Sequence, residues 1–305
     1  MDHSNSNPEI RDLQLVQLEI LLEFDRICKK HNIRYQLFSG TLIGCIRHQG
    51  FIPWDDDIDV CLIREEYDRF LEIAKIELDE KFFLQTYETD RNTVKRLARI
   101  RKNNTLYLQE QYQFIKMHHG IPISLMPLDN VKPGTFIGEF HRAFYQFLLV
   151  PLRKLNYCRS WDNCINKNKN KPLRKSVTIL LHVISKFIPK KFTDNFHNKI
   201  ACMFNGKETE YIAHLTNGAT KKRYKAFMMS RKDFFDVISG KFEGHTFPIP
   251  RNYDKLLTNI YGDYMTYPPI EEQKPKHYVT NVILDTKSAQ YCSHELTFKV
   301  HQHRS

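Results

Sequence analysis

No apolar segment of this chain is long enough to cross a lipid bilayer as a helix. A transmembrane helix needs roughly 18 apolar residues, whereas the longest candidate, residues 177–184, contains His182 and is soon followed by Lys186. The first ten residues also lack the basic and apolar stretches that open a secretory signal peptide. We therefore expect a cytoplasmic protein that is neither secreted nor embedded in a membrane.

Cysteine pairs with the spacing of metal sites are missing too. The chain has 7 cysteines, an odd number, and none of them form a Cys-x-x-Cys pair. This argues against a structural zinc site and against a disulfide framework. We expect reduced thiols that pack as small apolar side chains.

Acidic residues are scarce in the second half of the chain. The net charge is +11, yet residues 1–150 contain 19 Lys and Arg against 22 Asp and Glu. The surplus of positive charge therefore lies in residues 151–305, which indicates an anionic partner. No helix-turn-helix, RNP, KH or zinc-finger signature accompanies this charge, so we expect no specific binding of nucleic acid.

The basic charge is densest between residues 151 and 191, where eleven Lys or Arg accompany a single acid, Asp162. Within this span, residues 177–188 are apolar with basic flanks, a pattern typical of a helix that lies on an anionic membrane surface. The alternative is an internal helix whose ends are solvated by lysines. The first interpretation predicts that region 151–191 makes a peripheral contact with the inner face of the membrane.

Helical and strand patterns of apolar residues alternate along the first half of the chain. The predicted helices cover residues 8–30, 41–47, 65–78, 135–155 and 253–261, and the predicted strands cover 33–38, 57–62, 82–87, 96–101, 105–109 and 121–126. Residues 156–175, which are polar, are predicted to form a linker or loop. The expected fold is α+β (or α/β), a mixed β-sheet flanked by helices. Residues 1–150 would form the core of the domain, and the basic helical residues 151–305 would complete it.

Four carboxylates are concentrated in five positions, Asp55, Asp56, Asp57 and Asp59. Like charges this close repel, and a hard divalent cation is the simplest compensation. Because the apolar residues after Asp57 alternate as in a strand, Asp57 and Asp59 are predicted to share one strand face and to bind Mg²⁺, or Mn²⁺ in its place. Asp55 and Asp56 are expected to support them. A solvated acidic loop is the alternative.

A second group of residues, Ser39-Gly40-Thr41, is predicted to form a turn at the N-terminus of a helix. Glycine allows backbone N–H groups to approach a ligand, and the helix dipole favours an anion there. Arg47, two turns later, can bind phosphate. Mg²⁺ usually takes phosphate oxygens among its ligands. The turn and the acidic cluster together predict a site for phosphoryl transfer.

The segment SGTLIGCIRHQGFIPWDDDIDV, residues 39–60, resembles the LicD family of phosphorylcholine transferases and fukutin-type relatives, which have a nucleotidyltransferase-like fold. ARIRKNNT at residues 98–105, MPLDNV at 126–131, and YGDYMTYPP at 261–269 with His277 after it support the resemblance. Together these motifs span most of the chain.

The resemblance implies that the protein moves a phospho-alcohol, typically phosphocholine, from a CDP-linked donor to a hydroxyl of a glycan or lipid-linked glycopolymer and releases CMP. Lipopolysaccharide, teichoic acid and capsule are the surface polymers of this kind. In this family assignment Asp57 and Asp59 hold Mg²⁺ across the diphosphate, which Ser39, Gly40 and Thr41 cradle. The remaining donor contacts would come from Arg47, Arg99 and Arg101, although the last two can also form a solvated basic face.

One departure from the family pattern affects the expected catalytic acids. Family members commonly have IDIFPLD where this chain has ISLMPLD, so Ser124 stands at the position of a third carboxylate. Asp129 or Asp55 can substitute for it, the metal alone can activate the hydroxyl, or activity is reduced. We favour the first two and include Asp129 with Asp57 and Asp59 as the expected catalytic residues.

Two other functions stay open at this point. A nucleotidyltransferase that releases pyrophosphate would use the same metal site, and a donor-binding pseudoenzyme in glycopolymer assembly would tolerate Ser124. The late motif offers Asp263 and two tyrosines, Tyr261 and Tyr267. The aromatic rings of the tyrosines can stack on a cytosine or enclose a choline ammonium. These tyrosines can equally well pack the C-terminal turn.

Overall fold

A mixed β-sheet lies at the centre of the protein, in a computed structural model that describes residues 8–166, 172–215 and 220–285. The strands are β1 (Gln36–Leu37), β2 (Asp59–Ile63), β3 (Phe82–Gln85), β4 (Ala98–Lys102), β5 (Leu106–Gln109), β6 (Pro122–Val131), β7 (Tyr211–Ala213), β8 (Met228–Ser230), β9 (Val237–Phe242), β10 (His245–Pro250) and β11 (Val279–Ile283). The helices are α1 (Pro8–Lys30), α2 (Ser39–His48), α3 (Arg64–Glu77), α4 (Phe136–Cys158), α5 (Trp161–Asn166), α6 (Pro172–Phe187), α7 (Lys190–Ala201), α8 (Lys221–Ala226), α9 (Arg231–Phe235) and α10 (Tyr253–Tyr261).

The main sheet has the strand order β1-β2-β6-β4-β3, and β7 extends it from β6 with β8 beyond. β2 and β6 are parallel, whereas β4 pairs with β6, and β3 with β4, in the antiparallel sense. β9 with β10, and β5 with β11, form two smaller antiparallel pairs. The predicted α+β fold with a mixed sheet is confirmed.

Strands β2 and β6 are buried along their whole lengths. A parallel pair needs a crossover between its strands, and its faces are normally covered by helices. Here α3 follows β2 and packs on both strands, while α1 packs on β4 and β6. The polar residues of β6 therefore lie in the protein interior, where each needs a partner.

The later part of the chain joins this core through strand pairing. β7 pairs with the end of β6, opposite Asp129 and Val131, and β11 pairs with β5. A hydrogen-bonded ion pair between Arg11 and Glu243, at 2.5 Å, ties α1 to the β9–β10 turn. The division of the domain at residue 150 stays a prediction.

The predicted polar linker at residues 156–175 is largely wrong. α4 continues to Cys158, α5 follows it, and α6 begins at Pro172, while residues 167–171 lie outside the described residues. The helical path is favoured because polar side chains find buried partners there, such as Asn156 Nδ2, which donates to Asp194 Oδ1 at 3.2 Å. Of the helices in the described ranges, none is long and apolar enough to cross a bilayer.

The cysteines in the described residues are unpaired, as the sequence predicts. Five are buried and Cys202 is partly exposed. Cys292 lies outside the described residues.

Candidate active site

The carboxylates lie in a loop that runs into the N-terminal end of β2. Asp59 is the first residue of that strand, whereas Asp57 precedes it. The expectation that both acids lie on one strand is therefore wrong for Asp57. Pairing with β6 begins only at Ile58, whose carbonyl accepts the Ser124 N–H at 2.8 Å.

The loop nevertheless brings its acids together. Asp55, Asp56 and Asp57 each place a carboxylate oxygen within 4.8 Å of the others. Asp59 is close enough that Asp57 and Asp55 both raise the pKa of its carboxyl, after the larger effect of burial. We call Asp55, Asp56, Asp57 and Asp59 the acidic loop.

Asp56 is fully engaged by protein donors. Its carboxylate accepts the Tyr107 hydroxyl at 2.9 Å and the His277 backbone N–H at 3.2 Å. The Nδ1 atom of the same histidine lies 3.0 Å from the other carboxylate oxygen. Asp56 thus fastens the C-terminal segment to the acidic loop and has little capacity left for a metal ion.

The backbone of the acidic loop is held by two buried glutamines of α1. Gln14 Nε2 donates to the carbonyls of Ile52 and Asp55 at 3.2 and 3.0 Å, and Gln17 Nε2 donates to the carbonyl of Asp56 at 2.9 Å. Because these bonds fix the main chain, they define where the carboxylates point. The sequence analysis missed both residues, since a glutamine in an amphipathic helix has no distinctive pattern.

Three carboxylates of the loop remain to bind a cation. Burial raises the pKa of Asp55, Asp57 and Asp59 above the ordinary range, and repulsion from Asp57 raises those of the other two further. A divalent cation would favour the charged form of all three. A set of carboxylate oxygens is the donor type that Mg²⁺ prefers. Asp55 and Asp57, whose carboxylate oxygens lie within 4.8 Å of each other, and the neighbouring Asp59 are therefore the candidate ligands.

The N-terminus of α2 lies against the acidic loop. The Thr41 hydroxyl accepts the Asp59 N–H at 2.9 Å, and the Phe38 N–H donates to the Asp59 carbonyl at 3.0 Å. The helix begins two residues earlier than expected, at Ser39, whose φ is 51°. The predicted anion turn and the predicted metal site are thus adjacent.

Gly40 is required by this close approach. A Cβ atom at residue 40 would lie 2.7 Å from Asp55 Oδ2. Real Cβ atoms essentially never come so near another heavy atom. The glycine therefore allows the first turn of α2 and the acidic loop to touch.

A row of three residues crosses the sheet beside the acidic loop. Arg99 on β4 pairs with Ser124 on β6, which pairs with Asp59 on β2, so the three side chains share one sheet face. Arg99 is only 6% exposed, and its Nε and Nη1 atoms have no acceptor among the described residues. Unpaired guanidinium donors in such a position are suited to an anionic ligand.

Two of the other predicted phosphate ligands are already bound elsewhere. Arg101 donates to Gln85 Oε1 and to the Gly120 carbonyl at 2.6 and 2.5 Å. Arg47 donates to the Tyr264 carbonyl at 2.6 Å, and its guanidinium lies 4.7 Å from the centre of the Tyr267 ring. Arg101 is therefore a buried structural residue, and Arg47 holds the C-terminal loop.

Asp129 does not join the acidic loop. It lies five residues beyond Ser124 on β6, about 16 Å along the strand. Its buried carboxylate accepts two hydrogen bonds from Arg64, at 2.8 and 2.9 Å, and one from Asn205. Although burial opposes the charge, Arg64 holds the pKa of Asp129 below its usual value. The expected catalytic role of Asp129 has no support in this geometry.

The late motif contributes one of its three expected residues to the site. The Tyr261 phenol lies close enough to Ser39 and Asp59 for both to act on its pKa, which burial raises. Tyr267 instead lies near Trp54, with ring centres 6.1 Å apart. Asp263 accepts hydrogen bonds from Thr266 within its own turn.

Two lysines near the acidic loop were missed by the sequence analysis. Lys276 offsets part of the rise that burial causes in the pKa of Asp55, Asp57 and Asp59, and its Nζ lies 5.8 Å from the centre of the Tyr261 ring. Lys95 is close enough to Arg99 and Asp57 to interact with both, and burial holds its own pKa well below the ordinary value. For Lys276, the only signal in the sequence was its position directly before His277 of the late motif. The sequence around Lys95 gave no signal of a role in the site.

The chain is similar to known proteins over most of its length. A family model described as LicD/FKTN/FKRP, nucleotidyltransferase domain, matches residues 32–161, which include the acidic loop. The lipopolysaccharide cholinephosphotransferase LicD of Haemophilus influenzae is 32% identical over 277 residues, 88% of this chain and 96% of that protein.

Two uncharacterised rickettsial proteins match shorter parts. The one from Rickettsia prowazekii is 26% identical over 141 residues, 41% of this chain and 53% of that protein. The one from Rickettsia typhi is 42% identical over 65 residues, 21% of this chain and 20% of that protein.

The Arg64–Asp129 pair is expected to stabilise the fold. Asp129→Ala should lower the free energy of unfolding by about 3–5 kcal/mol, because the buried Arg64 guanidinium loses both of its hydrogen bonds to a carboxylate. Urea unfolding measures this loss, with Asp68→Ala on the exposed side of Arg64 as the control. An unchanged stability would contradict the structural role.

The contribution of this pair should depend on pH. Because the pKa of Asp129 is lowered on folding, its stabilising effect is fully present above the unfolded value of about 3.9 and is lost as the pH falls through the folded value. The stability difference between the wild type and Asp129→Asn should therefore shrink in acid. A difference that stays constant down to the folded pKa would contradict this linkage.

Proposed function

This chain belongs to the LicD family, and from that premise we propose that it is a Mg²⁺-dependent transferase of phospho-alcohols. It would take the phospho-alcohol, phosphocholine first of all, from a CDP-linked donor and pass it to a hydroxyl of a cell-surface glycan, with release of CMP. The observation that carries this proposal is the contact between the N-terminus of α2 and the acidic loop. One part is suited to a diphosphate and the other to the cation that accompanies it.

Each part of the site has a proposed role in binding the donor. The backbone N–H groups at Ser39, Gly40 and Thr41 would hold diphosphate oxygens, and Asp57 and Asp59 would hold Mg²⁺. The bound Mg²⁺ would stabilise the charge on the diphosphate and on the departing CMP. Tyr261, which lies against Ser39, would form one wall for the base or for the alcohol.

Arg99 is proposed to bind a phosphate group directly. A buried guanidinium without an acceptor is costly to the protein alone, and a phosphate oxygen supplies what it lacks. Ser124 explains why the arginine is unpaired: a carboxylate at this position would stand between Arg99 and Asp59 and bind the guanidinium. Lys95, whose pKa is lowered by burial and by Arg99, would be favoured in its charged form by a phosphate bound beside it.

Asp55 is proposed to take the place of the third acid that Ser124 does not provide. It belongs to the acidic loop, and it lies beside Gly40 at the α2 N-terminus. Of the two substitutes considered from the sequence, Asp129 is occupied by Arg64 and Asp55 is not. Asp55 would therefore help to bind the metal or to accept the proton of the acceptor hydroxyl.

The proposed acceptor is a lipid-linked glycan or glycopolymer. This follows from similarity to a protein named for cholinephosphate transfer to lipopolysaccharide. Such an acceptor would be met at the cytoplasmic face of a membrane, and the basic region 151–191 favours that location. Ser124 keeps a donor-binding pseudoenzyme as the second candidate.

The proposal predicts Mg²⁺-dependent release of CMP from CDP-choline in the presence of a glycolipid acceptor. Asp57→Asn should lower the rate by at least about 100-fold, because loss of even an outer partner of a metal site costs 10- to 100-fold. The matched control is Asp263→Asn, which changes an exposed carboxylate outside the acidic loop. It should retain the full rate.

The products of this reaction separate the alternatives. Release of pyrophosphate from a nucleoside triphosphate would favour a nucleotidyltransferase. Binding of CDP-choline without turnover, across a panel of CDP-linked alcohols and glycolipid acceptors, would favour the pseudoenzyme. Either result would contradict the transferase proposal.

A substitution at Ser124 tests the roles of Arg99 and Asp55. Ser124→Asp should raise the KM for the donor by about 10-fold or more, because the new carboxylate competes with phosphate for Arg99. Ser124→Asn, of similar size but uncharged, should raise it much less. A higher kcat in Ser124→Asp would instead mean that the third acid is needed at residue 124 and that Asp55 does not replace it.

A further inference from the structure

Helix α6 exposes its apolar side and turns its polar side inward. A row of apolar residues at helical spacing faces out, including Leu173 at 79%, Leu180 at 60% and Phe187 at 82% exposure. On the opposite side, His182 Nδ1 lies 2.8 Å from the Cys158 carbonyl, and Ser185 is buried with its carbonyl accepting from Arg159. The orientation of α6 is thus set by polar contacts. It leaves the apolar row in water, which is the reverse of a normal surface helix.

Helix α4, which packs against α6, exposes a second apolar row. Phe136, Phe140, Phe147 and Val150 follow one another at helical spacing and are all more than half exposed. The buried side of α4 is already filled, since Tyr145 and its neighbours form a small core with α7 and β7. Large aromatic side chains exposed in such number mark an interaction surface.

The charge around these two rows is mainly positive, since the one acid of α4, Glu139, is paired with Arg142. α6 contains no acidic residue, and exposed Arg174 and Lys186 lie near its two ends. Lys154 on α4 and Lys191 on α7 are also exposed. A second copy of this chain would bring like charges together across a symmetric contact. A surface of anionic lipids complements both the apolar rows and the charge.

We propose that the outward rows of α4 and α6, which we call the docking face, bind an anionic lipid bilayer. The two helices would lie in the membrane plane, with their aromatic and aliphatic side chains at the boundary between headgroups and acyl chains. The basic side chains at the helix ends would contact the headgroup phosphates. The docking face extends beyond the predicted region 151–191, because it includes α4 from Phe136. This proposal rests on the proposed function in one respect only: a lipid-linked acceptor gives the protein a reason to bind a membrane.

If the docking face binds lipid, the full chain should bind vesicles without any donor or other protein. In flotation assays the wild type should bind vesicles of phosphatidylglycerol and phosphatidylcholine far better than vesicles of phosphatidylcholine. Leu180→Ser with Phe187→Ser should weaken this binding by at least about 10-fold, since both side chains would lose their lipid contacts. Both residues are exposed, so the variant should fold normally. The matched control is Ile76→Ser on α3, where the side chain is 88% exposed, and it should bind like the wild type.

A charge variant and an oligomer measurement complete the test. Arg174→Ser with Lys186→Ser should reduce the preference for anionic vesicles several-fold. The proposal is overturned if the wild type does not bind anionic vesicles, or if the Leu180/Phe187 variant binds as well as the wild type. It is also overturned if the protein is a dimer that the same two substitutions dissociate, because a second copy then covers the face. Vesicle binding is measured without donor, so a failure of the transferase proposal leaves this result unaffected.

Discussion

Repulsion among four carboxylates on one loop is the constraint around which the site is built. Protein groups relieve only part of it: Tyr107 and His277 hydrogen-bond the Asp56 carboxylate, and Lys276 offsets part of the repulsion among the other three acids. Because α1 fixes the loop backbone, the acids cannot move apart. The repulsion and burial of these carboxylates destabilise the folded protein. A bound cation is expected to offset this loss of stability.

The negative and positive parts of the site complement each other across the sheet. Asp59 and Arg99 stand on either side of Ser124 and share a face with it. A carboxylate in the middle would bind the Arg99 guanidinium within the protein and add negative charge beside Asp59. With serine there, the acids remain suited to a metal and the guanidinium to a phosphate, so the departure from the family pattern is consistent with an active site.

The sequence predicted what depends on local pattern and failed where distant partners decide. The acidic loop, the glycine turn and the alternation of helices and strands are local, and the family membership that their motifs indicated is confirmed. The role of Asp129 depends on Arg64, 65 residues away, and the contacts of Arg47 depend on a loop 217 residues later. The short motifs that contain Asp129 and Arg47 could not specify partners so far away in the sequence. Likewise, the start of β2 is set by its pairing with β6. The alternating pattern carries no information about that pairing, and it therefore placed Asp57 on the strand wrongly.

The central claim is that the acidic loop and the α2 N-terminus form one metal and diphosphate site. A crystal structure of the protein with CDP and Mn²⁺, with anomalous scattering data for manganese, tests it most directly. The account predicts a manganese peak ligated by Asp57 and Asp59, with a phosphate of CDP between it and the N–H groups of Ser39–Thr41. A manganese ion bound elsewhere, or CDP bound away from α2, would contradict it.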